Sequence, residues 1–195
     1  MKEKIAKIIR ILTIPPMLAL IMLVALRHSY GENFASTQMF YLAILTLVVI
    51  PMLAYPLSFM KKSDPKITRE RQRQLAFVMN LIGYFLAFIF GIIMKCSQMF
   101  LSIIVSYFFG VVLLTFLNKV CKTRASGHAC SCVLPYMYLC YWLKGNIIFI
   151  CILCYAIEFW ASIELKRHTV SEFLQGTIVA ILAFAFPILY FTTCL

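Results

Sequence analysis

Two histidines forty residues apart stand at the polar edges of apolar stretches: His128 in Ala125-Ser126-Gly127-His128, and His168 in His168-Thr169-Val170-Ser171-Glu172. Displacement at phosphorus without a metal needs two such groups, one imidazole to attack and another to protonate the departing oxygen. Glu172 follows His168 by four residues, so on a helix the two side chains share a face. A carboxylate there fixes the imidazole tautomer and stabilises the imidazolium. Ser126 and the Gly127 backbone N–H, at the predicted start of a helix, offer donors where an anion binds. Lys66 and Arg73, in a third polar segment, can neutralise phosphate oxygens and the charge spread over them in the transition state. The remaining histidine, His28, has no such neighbours and reads as an interfacial residue.

These residues need elements to hold them, and the composition says which kind. Of 195 residues, 63% are hydrophobic and 13% charged, with a mean hydropathy of +0.93. A soluble domain of this size could not cover so much apolar surface. Apolar runs of about 17–25 residues between short polar loops are what a hydrocarbon layer about 30 Å thick demands of helices. The expected fold is therefore an all-α polytopic integral membrane bundle, a single domain over residues 1–195. Candidate spans run at about 8–26, 38–60, 75–94, 98–117, 129–143, 147–163 and 173–194 by that length rule. The fifth is short and contains Pro135, so the expectation is six or seven spans.

The net charge of +11 could indicate nucleic acid, but the basic residues lie in short loops rather than in an arm or a soluble domain. Membrane topology and anionic headgroups explain that placement, and no nucleic-acid partner is expected. The basic start, Met1 to Arg10, leads into an apolar run with no small-residue cleavage site before Arg27, so it reads as an uncleaved first helix. Eight cysteines include the pairs Cys130/Cys132 and Cys151/Cys154 inside apolar spans, where Cys is a small apolar filler; no metal site is expected. Glu158, a carboxylate inside the sixth span, has no assignment at this level.

With seven spans, loop parity puts the N-terminal tail and the 61–74, 118–128 and 164–172 loops on one face. That face holds fifteen of the eighteen Lys and Arg residues; Arg27, Lys95 and Lys144 fall on the other. The positive-inside rule places it in the cytoplasm, with the N-terminus and all three polar segments.

Together the segments resemble the type 2 phosphatidic acid phosphatase (PAP2) superfamily over roughly residues 60–180. The family motifs are K-x6-R-P, P-S-G-H and S-R-x5-H-x3-D. Lys66 and Arg73 match the first, with Gln74 in place of Pro. Ala125 to His128 match the second, with Ala in place of Pro. Ala161-Ser162, His168 and Glu172 match the third, with Ser162 where the family has Arg and Glu in place of Asp; a Gly-containing turn, Leu174-Gln175-Gly176, follows. The resemblance implies a membrane lipid phosphatase that works without a cofactor. His168 would be the nucleophile that becomes phosphohistidine, and His128 the general acid. The partners implied are membrane lipids and a lipid phosphate substrate: phosphatidic acid, phosphatidylglycerophosphate or a polyprenyl diphosphate. The Arg replaced by Ser162 leaves open a non-enzymatic reading, a degenerate relative or a small transporter subunit.

Overall fold

The computed structural model describes residues 1–60 and 65–193, which are 86% helical overall with no strand among them. The chain opens with α1 (Lys2–Leu12) and α2 (Pro15–Tyr30), which meet at a 51° bend. The expected single run over 8–26 is thus broken, for a reason written in the sequence. The residue before a proline avoids the helical region, and Ile14 is extended at ψ 140° before Pro15-Pro16. Prolines at the first helical positions then start α2 without wasting an N–H.

Next come α3 (Thr37–Phe59), α4 (Pro65–Ile93) and α5 (Gln98–Val120). Ser36 and Ser97 cap α3 and α5 through their hydroxyls, which accept the N–H groups of Met39 and Phe100. A β-carbon on Gly83 of α4 would lie 2.1 Å from the Thr46 carbonyl oxygen of α3, so those two backbones touch only because residue 83 is glycine. The chain ends with α6 (Gly127–Leu143), α7 (Ile147–Glu164) and α8 (Val170–Thr193).

Among the described residues, five helical stretches are long and apolar enough to cross a membrane: α3, Glu70–Ile93 of α4, α5, α7 and Val170–Phe191 of α8. The bent α1–α2 pair makes six if it counts as one span. These correspond to six of the seven expected stretches. The other, at 129–143, forms α6, which at 17 residues falls short of that length and runs through Pro135 unbroken. Its place in the fold accounts for its composition. α6 packs against α2, α5, α7 and α8, and Ala129 to Tyr136, Tyr138 and Leu139 are all buried. α4 flanks α5 and α3, while α1 lies along α7. Large apolar side chains such as Ile93, Phe149 and Leu189 face outward, each more than 60% exposed.

Candidate functional site

The start of α6 and the start of α8 are joined by backbone. Ser126 caps α6, its Oγ accepting the Ala129 N–H at 3.1 Å, while its own N–H donates to the Glu172 carbonyl at 2.9 Å. Gly176 permits that approach: a β-carbon there would lie 2.2 Å from the Ser126 carbonyl oxygen. His128, in the first turn of α6, is thereby set beside the segment that carries His168.

Two local motifs place His168. A Schellman turn ends α7: the Arg167 N–H donates to the Ser162 carbonyl at 3.1 Å and the Lys166 N–H to that of Ile163 at 2.9 Å, with Lys166 left-handed at φ 50°. A capping box then starts α8. The Thr169 hydroxyl accepts the Glu172 N–H at 3.2 Å, and Glu172 Oε2 accepts the Thr169 N–H at 3.1 Å. The same Oε2 lies 3.4 Å from His168 Nδ1, and Oε1 lies 3.8 Å from Arg124 Nε. One carboxylate therefore caps the helix and orients the imidazole.

Both histidines line one cavity of about 1850 Å³. Its mouth is basic, with eight Lys and Arg against two Glu, so it favours a multiply charged anion. Its lining also includes apolar side chains, Val111, Leu114 and Leu134 among them. His128 Nε2 is buried without a hydrogen-bond partner, a condition rare enough in proteins to call for one. His168 is held below the ordinary histidine value by burial first and by the charge of Arg10 second, against the opposing pull of Glu172. Its imidazole is thus neutral at neutral pH, with Nε2 left open when Nδ1 carries the proton toward Glu172.

The structure brings together Gly127, His128, His168 and Glu172, with Arg73 on the rim of the same cavity. Arg73 is mostly exposed and engaged by Glu70 at 2.8 Å. The Lys66 side chain lies outside the described residues. Ser126 is fully buried and does not line the cavity; its hydroxyl positions Gly127 and His128. Among the described residues, no group of three or more His, Cys, Asp and Glu side chains is placed to hold a metal ion.

One residue escaped the sequence reading, and Glu158, noticed there without a role, gains partners. Arg10 of α1 enters the cavity and donates from Nη1 to Ser162 Oγ at 3.0 Å across 152 residues of chain. Its signal was helical spacing: Ala6, Ile9, Arg10 and Thr13 follow i, i+3, i+4, i+7 and form the covered face of α1. Glu158, buried in α7, accepts the Tyr136 hydroxyl on Oε1 at 2.7 Å, leaves Oε2 unpaired, and lies within electrostatic reach of Arg10. No family model matches this chain, and no curated protein or solved structure matches it.

Proposed function

We propose that this chain is an integral membrane lipid phosphatase that hydrolyses a phosphate monoester or diphosphate of a lipid through a phosphohistidine. The observation that carries the reading is the shared cavity. Two histidines from segments forty residues apart line it, one of them paired with a carboxylate, at a basic mouth with apolar side chains in the same lining. In this mechanism His168 Nε2 attacks phosphorus as the bond to the lipid oxygen breaks. His128 protonates that oxygen, and Glu172 stabilises the charged imidazole. Water, giving its proton to His128, then attacks the phosphohistidine; inorganic phosphate leaves and His168 is regenerated. The surrounding cations neutralise the phosphate oxygens, and the acyl or prenyl chain lies on the apolar side chains.

The proposed setting is a cell membrane with the N-terminus and the site facing the cytoplasm; one cavity shared by Arg10, His128 and His168 requires α6 to cross as the seventh span. The charge bias of the loops supports that orientation, and the outward-facing apolar side chains support insertion.

The test is phosphate release by protein purified in detergent, with EDTA present, from short-chain phosphatidic acid, phosphatidylglycerophosphate and a polyprenyl diphosphate. Release that persists in EDTA and disappears in His168→Ala and His128→Ala is the expected result. A folded protein that releases no more than His168→Ala on every substrate would overturn the phosphatase reading. The specific observation favouring a non-enzymatic binding protein is Ser162, which stands where the resemblance calls for Arg.

A further inference from the structure

Arg10 brings a charge from α1 into the cavity. It is half-buried on the inner face of α1. Among the described residues its guanidinium makes one side-chain hydrogen bond, to Ser162 Oγ, and has no carboxylate at ion-pair distance. A guanidinium carries five N–H donors in a planar fork, and removing one from water without satisfying them is costly. Arg10 lines the cavity with His128 and His168 and lies within electrostatic reach of both. The Ser162 contact fixes where the fork sits. Ser162 is fully buried, and its carbonyl also holds the turn that delivers His168. One residue thus sets the spacing between guanidinium and imidazole.

We infer that Arg10 is an anion-binding residue of this site, taking two oxygens of a substrate phosphate on its free N–H groups, with Ser162 as its positioning residue. The inference rests on the proposed phosphatase reading and goes beyond it. It makes α1 a working part of the site rather than a basic tail that sets topology. A planar fork suits two phosphate oxygens at once, which an ammonium group does not match. The bend before Pro15 is what lays α1 against α7 and brings residue 10 to residue 162.

Two readouts on full-length protein in detergent test this: kcat/KM for release from the best substrate of the panel, and Kd for inorganic phosphate by titration calorimetry. Arg10→Ala should lose about 10²-fold in kcat/KM, the scale of one preorganised donor to a charged transition state, and weaken phosphate binding at least tenfold. Arg10→Lys should fall between, and added methylguanidinium should restore part of the Arg10→Ala activity. Lys4→Ala, on the exposed side of α1, should match the wild type. The acid limb of kcat/KM should move up in Arg10→Ala, because the charge that depresses His168 is gone. An Arg10→Ala protein with wild-type phosphate affinity and kcat/KM overturns the role of Arg10 while leaving the phosphatase intact. If wild type releases no phosphate yet Arg10→Ala loses phosphate binding, the phosphatase reading fails and the anion site stands. If Arg10→Ala does not fold, Ser162→Ala decides: it keeps the guanidinium but frees it. A drop in phosphate affinity supports the inference, and an unchanged affinity and rate overturn it.

Discussion

At the scale of single residues, Glu172 carries two duties that substitution can separate. Its Oε2 accepts the Thr169 N–H and faces His168 Nδ1. Glu172→Gln keeps a carbonyl oxygen for the cap but removes the charge. Thr169→Ala keeps the charge but loses the hydroxyl cap, at a cost of about 1 kcal/mol of stability. The sign of the pH effect follows from the causes. Burial and Arg10 lower the His168 value, and Glu172 raises it. In the proposed mechanism His168 attacks when neutral, so kcat/KM should fall on acidification only below the ordinary histidine value of 6.5. Glu172→Gln should shift that limb to still lower pH while reducing the plateau, as measured in a pH–rate profile. An upward shift would mean that the carboxylate does not act on His168.

At the scale of elements, the site depends on how closely α8 meets the start of α6. Gly176 leaves no room for a β-carbon against the Ser126 carbonyl, and that carbonyl belongs to backbone that cannot rotate aside. Gly176→Ala should therefore push the helices apart. The expected loss is about 1–3 kcal/mol of stability, the usual cost of overpacking, and at least tenfold in activity, because misplacement by about an ångström can cost a hundredfold. Thermal unfolding in detergent and phosphate release measure the two effects. Wild-type values for both would show that the helices are not in contact in solution.

At the scale of the whole molecule, charge asymmetry and helix length carry the topology. Cys labelling by a membrane-impermeant reagent, in a cysteine-free background, should modify Asn146→Cys from outside intact cells and spare Lys122→Cys until the cells are opened. These positions flank α6 on opposite ends. Labelling of Lys122→Cys from outside would reverse the proposed orientation and put the site on the outer face.

Composition and local pattern determined by themselves that the chain is a bundle of apolar helices, where five of its long spans run, and that His128, His168 and Glu172 deserve notice. Those properties depend on neighbours within a few turns: the length of an apolar run, an i, i+4 pair, a hydroxyl before a helix. The break at Ile14 was legible in the same way, in the two prolines that follow it, although the hydropathy run read straight through them. Only the tertiary structure decided which polar groups share a cavity. The Ser126 hydroxyl looked like an anion ligand and is buried as a cap, because α8 packs over it through Gly176. Arg73 reached the rim but is engaged by Glu70, its near neighbour on the same helix. The Arg10–Ser162 pair could not be read from order along the chain. It joins elements 152 residues apart, and such a contact follows from how α1 packs against α7, which neither segment encodes alone.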